Sequence, residues 1–261
     1  MANTGGIVCD RYWRLVFHCC DVEAMIPVLA SILTGDLSDF GESFVGQDDT
    51  RAFISGQKLL EEDTLRACLE RFSKNYNTPE PIAVATLWSK WHISKLLPAS
   101  MAAIIIADTA LPLSIDKIGV VLSEDGHTVA FRVDPDGHNA AHGDVRQRFG
   151  NILDHHLAPL FSSLAKVSGI PTKVLWSNAG NVAENVVRAC EELLGADHAG
   201  VTAALSLFSS RKWPDGSKNF LFEPVRYVDG EKRQRKLCCL RYRMDSLSLC
   251  KTCPLEIETK A

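Results

Sequence analysis

A chain of 261 residues with 46% hydrophobic and 23% charged residues can bury a sizeable core, which excludes a largely disordered protein. A net charge of -4 and a pI near 6.1 give no sign of the strongly basic face that nucleic-acid binding needs. Nine cysteines is an odd count, and Asp10, Arg11 and Arg14 interrupt the N-terminal apolar residues, so a signal peptide and a complete disulfide framework are not expected and reduced thiols in the cytoplasm are.

From Trp13 to Ala107 the spacing of apolar residues is mainly helical, with amphipathic runs at 22–33, 59–72 and 82–97. The stretch 96–107 is the most apolar, but falls short of the roughly 20 residues that span a bilayer, so it predicts a buried core helix. Trp88 and Trp91 lie on adjacent flanks of a predicted helix and read as core. Between 118 and 133, two β-rich runs flank Asp125-Gly126, a hairpin signal. Residues 134–142 are rich in helix breakers and predict a loop, after which 144–168 returns to helical spacing. His138 and His142, and the pair His155 and His156, read as ordinary surface or core histidines rather than metal ligands.

Residues 173–176 are short and apolar and predict a strand, followed by a turn at Ser177–Asn181 and a helix over 182–194 ending at Gly195. From 217 onward, two β-rich runs flank Asp229-Gly230 and predict a second hairpin, whose returning strand carries Cys238 and Cys239. The expected fold class is α+β: a helical first half and antiparallel hairpins packed with helices. The expected organisation is a body over 1–216 and a small C-terminal module over 217–261.

Cys9, Cys19, Cys20, Cys68 and Cys190 stand among apolar neighbours and read as small buried hydrophobes. Cys238, Cys239, Cys250 and Cys253 are different: an adjacent pair, ten residues, then Cys-x-x-Cys. Clustered thiolates select soft-metal chemistry, which leaves an iron-sulfur cluster, a structural zinc ion, or inert or disulfide-linked cysteines. Successive side chains of a strand point to opposite faces, so Cys238 and Cys239 can serve one small site only where the chain leaves regular strand geometry. Around them Lys232, Arg233, Arg235, Lys236, Arg241 and Arg243 form a basic strip, which is either a solvated face or a surface that steers an acidic electron donor or an anionic complex.

The segment CCLRYRMDSLSLCKTC, with LWSKW at 87–91 before Pro98 and LWSNAGN at 175–181, resembles the FhuF-type ferric-siderophore reductases. The resemblance runs from about residue 80 to the end. It implies a [2Fe-2S] cluster on Cys238, Cys239, Cys250 and Cys253 and one-electron reduction of siderophore-bound Fe(III) to Fe(II), with iron released in the cytoplasm. The implied substrate is a hydroxamate-type ferric siderophore. No G-x-G-x-x-G, Walker loop or H-E-x-x-H is present, so the electron is expected from a partner such as a ferredoxin or an NAD(P)H-dependent ferredoxin reductase. Docking at the inner face of the membrane is a further possibility.

Trp176, Ser177 and Asn178 are candidate substrate contacts at the predicted strand-to-helix turn, with the bland alternative that Ser177, Asn178 or Asn181 merely caps the helix. Arg233, Arg235, Arg241 and Arg243 are the candidate contacts within the basic strip. The competing function is a zinc-stabilised protein that binds a siderophore or a partner without redox chemistry.

Overall fold

A computed structural model describes residues 26–34 and 38–256; Cys9, Cys19, Cys20 and the helical start at Trp13 lie outside the described residues. Helix α1 (Pro27–Ile32) is short and buries Leu29. Helix α2 (Glu62–Ser73) has Glu62 and Asp63 in its first turn, where the helix dipole favours negative charge, and buries Leu65, Cys68, Leu69 and Phe72 along one stripe. Cys68 is thus a core residue, as expected.

The two apolar runs at 82–97 and 96–107 form one helix, α3 (Pro81–Ala107), of 27 residues. The Glu80 carboxylate accepts from the Ala83 amide at 2.7 Å, and Pro81 occupies the first turn, where its missing N–H costs nothing. Pro98 stays inside the helix although it removes one backbone bond, a loss of about 3 kcal/mol in an isolated helix. Burial on nearly every side outweighs that loss, since an apolar surface all round a helix is stable only in a core. Among the described residues no helix is long and apolar enough to cross a membrane.

Four strands form a sheet in the order β1 (Phe44–Val45), β5 (Thr128–Arg132), β4 (Gly119–Leu122), β2 (Phe53–Ser55). β1 runs parallel to β5 and the other pairings are antiparallel. The β4–β5 hairpin turns at Asp125-Gly126 as predicted, with Gly126 at a φ of 86°. The Trp88 indole N–H donates to the Gly126 carbonyl at 2.8 Å, fixing that turn to α3. The predicted loop 134–142 contains a short strand, β6 (Asn139–Ala140), paired with β3 (Thr109–Ala110).

The region 144–168 is helical but interrupted. Short turns Val145–Arg148 and Gly150–Ile152 lead into a π-helical turn, Leu153–Leu157, and then α4 (Ala158–Ser168). The π-turn places His156 in the core, where its Nε2 lies 2.8 Å from His92 Nε2. The predicted strand over 173–176 and turn over 177–181 are not formed: Thr172–Leu194 is one helix, α5. Both long helices pack against each other, and Val174, Leu175 and Trp176 of the apolar run are buried by helix packing rather than by a sheet, while Lys173 stays exposed. Helix α6 (Ala199–Leu205) follows, and its Gly200 lies where any Cβ would strike the Ile105 carbonyl of α3.

The second hairpin, β7 (Val225–Val228) with β8 (Lys232–Arg235), also turns where predicted. The protein is therefore α+β.

Candidate metal centre

β8 ends at Arg235, before the cysteine pair, so the returning strand does not carry Cys238 and Cys239 as expected. The chain leaves strand geometry there, and Leu240 takes a left-handed conformation with φ 61°. Its amide donates to the Cys238 sulfur at 3.4 Å. The departure from a strand releases the pair from the rule of opposite faces. The Cys239 and Cys250 sulfurs lie 3.8 Å apart, and Cys253 is near enough to Cys238 to act on its thiol. All four thiols therefore belong to one local group, with Cys239 and Cys250 in direct contact. Among the described residues, no three or more Cys, His, Asp or Glu side chains are arranged around a single metal-ion position.

Two cations adjoin the thiols. The ammonium of Lys90 in α3 acts on Cys239 and Cys250, and the Arg235 guanidinium on Cys239, Cys250 and Cys238. The hydrogen bond from Cys250 and the positive charges of Lys90 and Arg235 hold the Cys239 thiol well below its ordinary pKa, against the opposing effect of burial. Burial, with its thiol neighbours, pushes Cys238 up. Arg235 is 2% exposed and its Nε–H has no hydrogen-bond partner.

A chain of buried hydrogen bonds positions this segment. The Thr86 hydroxyl of α3 donates to the Cys239 carbonyl at 2.8 Å. Asn178 of α5 donates through Nδ2 to Thr86 Oγ1 at 2.9 Å and to Ser89 Oγ at 3.2 Å. The Asn178 carbonyl oxygen accepts from Arg235 Nη2 at 2.6 Å. The same Nη2 donates to Ser177 Oγ at 3.2 Å, and that hydroxyl donates to the Leu237 carbonyl at 3.2 Å. Further along, Gln234 Nε2 donates to the Cys253 carbonyl at 3.0 Å and the Arg235 amide to the Thr252 carbonyl at 2.9 Å. The C-terminal end of the cysteine segment is therefore tied to β8, and its N-terminal end to α3 and α5.

Ser177 and Asn178 are neither caps nor surface residues; they sit inside α5 and face the cysteine segment. Arg233 turns away from it: Nε reaches Glu184 at 2.7 Å and Nη2 the Asn181 carbonyl at 2.7 Å. Arg243 pairs with Glu80 at 3.3 Å, and Lys236 with Glu223. Arg241 and Arg243 form a 3-10 turn just beyond Leu240. Trp176 stacks on Phe220 with centroids 5.4 Å apart and meets Phe161 edge-on at 5.0 Å. Thr86 and Gln234 were not singled out from sequence, and Ser89 and Lys90 entered only within LWSKW with no role of their own, although Lys90, a cation in a largely apolar helix, is a residue that burial makes costly without a partner.

A family model described as "Ferric iron reductase FhuF-like transporter" matches residues 86–235, which is more than half of the chain and stops just before the cysteines. A ferric siderophore reductase of Escherichia coli (strain K12) is 27% identical over 172 residues, 66% of this chain and 65% of that protein. This chain therefore spans somewhat less than two thirds of its curated relative. Among solved structures, ATP-bound aerobactin synthetase IucA from a hypervirulent pathotype of Klebsiella pneumoniae aligns with a TM-score of 0.53 at 12% identity, over 65% of this chain and 37% of the synthetase. At that identity the likeness concerns the fold alone.

Proposed function

Because this chain belongs to the family of FhuF-like ferric iron reductases, we propose that it passes one electron to Fe(III) held in a siderophore, through a [2Fe-2S] cluster on Cys238, Cys239, Cys250 and Cys253. The observation that carries this reading is that Thr86 and Asn178, on the two helices of the family-matched region, bond directly or through Arg235 to the backbone and side chains leading into the cysteine segment.

The donor set suits such a group. Four thiols in one segment supply the two thiolates that each of two irons takes, and no three of the described Cys, His, Asp or Glu side chains converge on one point as a tetrahedral zinc requires. The unpartnered Nε–H of a buried guanidinium beside them suits an anionic occupant. When bound, the cluster supplies reversible one-electron transfer. The chain's own residues do the rest: Lys90 and Arg235 offset the negative charge of the thiolates in a poorly solvated site, and Thr86, Ser177 and Gln234 fix the backbone that carries them.

The reaction balances as one electron taken from a reduced donor and one added to Fe(III), giving Fe(II) and the same chelator. Siderophore oxygens favour the harder, more charged ion, so the lost charge weakens every contact and loosens the metal. No proton transfer or nucleophile is needed. We assign the donor role to a ferredoxin or an NAD(P)H-dependent ferredoxin reductase, the place to the cytoplasm with contact at the inner membrane face, and the cluster-bearing module to residues 217–261.

The test is anaerobic purification followed by visible absorption and by iron, sulfide and zinc analysis. The reduced protein is then titrated with ferric siderophores, following its reoxidation together with Fe(II) capture. A colourless zinc protein, or a coloured one that reduces no ferric complex, overturns the proposal.

A further inference from the structure

A cavity of about 450 Å³ opens between the first turns of α5 and the segment 211–222. Its apolar surface comes from Trp176, Phe220 and Phe222, and its charge from Lys173, Arg211, Lys212 and Lys218. No Asp or Glu lines it, and none of the four cations pairs with a carboxylate among the described residues. Phe220 remains 43% exposed, a large ring held at the surface by its stacking on Trp176.

The fold holds these like charges together. Lys212 and Lys218 are partners across an isolated antiparallel bridge, a juxtaposition that destabilises a bare protein. The turn between them is closed by Trp213 N–H to the Ser217 carbonyl at 2.9 Å and Gly216 N–H to the Trp213 carbonyl at 2.9 Å. Asn219, buried, anchors the segment by donating to the Leu207 and Ser210 carbonyls at 2.8 and 2.9 Å. Arg211 lies over the Phe222 ring at 4.7 Å and Lys218 over Phe220 at 4.9 Å, so both cations are partly oriented before any ligand arrives. Preset positive charge beside flat apolar rings is recognition chemistry for an anion with an organic face.

We propose that this cavity is the substrate site and that it selects ferric complexes carrying net negative charge, such as catecholate or citrate-type chelates, over the neutral ferric tris-hydroxamate. This assignment rests on the ferric-siderophore reading above. It differs from the hydroxamate type that the sequence resemblance implies.

The site adjoins the cysteines along the chain. Trp176 directly precedes Ser177, whose hydroxyl bonds the carbonyl of Leu237, the residue before Cys238. Lys236 lies 5.6 Å from the centre of the Phe222 ring. Adding an electron makes a bound complex more negative, so a cationic cavity holds the reduced form more tightly than the oxidised one and thereby favours reduction.

The experiment uses gallium(III) complexes, which have the charge of their ferric counterparts but accept no electron. Tryptophan fluorescence titration of the full chain with a gallium tris-catecholate and a neutral gallium tris-hydroxamate, at low and high salt, measures both affinities. The expected result is at least about tenfold tighter binding of the anion at low salt, shrinking as salt rises. The Arg211→Gln/Lys218→Gln variant, altered at two exposed positions, is expected to lose most of that preference, and Arg211→Lys/Lys218→Arg to retain much of it. Equal affinities for the two complexes, or an unaltered preference in the glutamine variant, overturns the assignment. Because gallium binding needs no electron transfer, charge-selective binding by a protein that reduces no iron complex upholds the cavity while defeating the reductase reading. Reduction with an unchanged KM in the glutamine variant does the reverse.

Discussion

Asn178 is where the structure makes its sharpest quantitative demand. Replacing it with alanine removes the acceptor of a 2.6 Å bond from the buried Arg235 guanidinium and the donor that reaches Thr86 and Ser89. A bond to a charged group contributes about 1.5–3 kcal/mol and a neutral one about 1 kcal/mol, so the combined loss is about 4 kcal/mol. Arg235, 2% exposed and already carrying an unpartnered Nε–H, cannot recover the bond from water. For a chain of this size the loss lowers the thermal midpoint by roughly 10 °C, measured by circular dichroism. Asn178→Asp keeps an acceptor for Arg235 while losing the amide donor, and is expected to fall between wild type and alanine. If Asn178→Ala melts within about 2 °C of wild type while binding ferric complexes more weakly, Asn178 is a substrate contact and the positioning argument fails.

The His92–His156 pair gives a pH dependence. Burial, with the neighbouring ring, holds His92 well below its ordinary pKa, and burial pushes His156 down to about 4. Both rings fold neutral, so the unfolded chain takes up protons that the folded chain resists. Stability is complete above about pH 6.5 and falls as pH drops toward 4, by up to about 1.4 kcal/mol per pH unit for each ring. Denaturant unfolding at pH 7, 6 and 5 measures this, and a flat profile would contradict it. Serine at Cys238, Cys239, Cys250 or Cys253 is expected to abolish visible absorption and bound iron, whereas Cys190→Ala, altering a buried thiol of α5, retains both; loss of iron from Cys190→Ala would sink the assignment. Gly180→Ala ordinarily gains about 1 kcal/mol within a helix, but here its Cβ would come 2.6 Å from Pro224 Cβ, so a lower thermal midpoint is expected and a raised one counts against the packing described.

Local chemistry was legible where one residue pair decides the backbone. Asp125-Gly126 and Asp229-Gly230 mark both hairpins, because the glycine that follows the aspartate takes a positive φ in each. The run at 173–176 misled because a short apolar segment is compatible with a strand or with a buried helix, and only its neighbours decide. Ser177, Asn178 and Asn181 favour turns when their side chains bond their own backbone, but here they bond Leu237, Thr86, Arg235 and Arg233 across the fold. Tertiary partners thereby removed the competition that would have broken the helix.

By itself, the sequence determined the fold class, the two hairpin turns, and the grouping and unusual spacing of Cys238, Cys239, Cys250 and Cys253. Spacing along a chain can bring thiols near each other, but it carries no information about what surrounds them. Only the tertiary structure decided that Lys90 and Arg235 face the sulfurs, that Asn178 joins two helices to Arg235, and that Lys173 shares a cavity with Lys218. Those groups come from segments far apart in sequence, and packing of α3 against α5 is what brings most of them together.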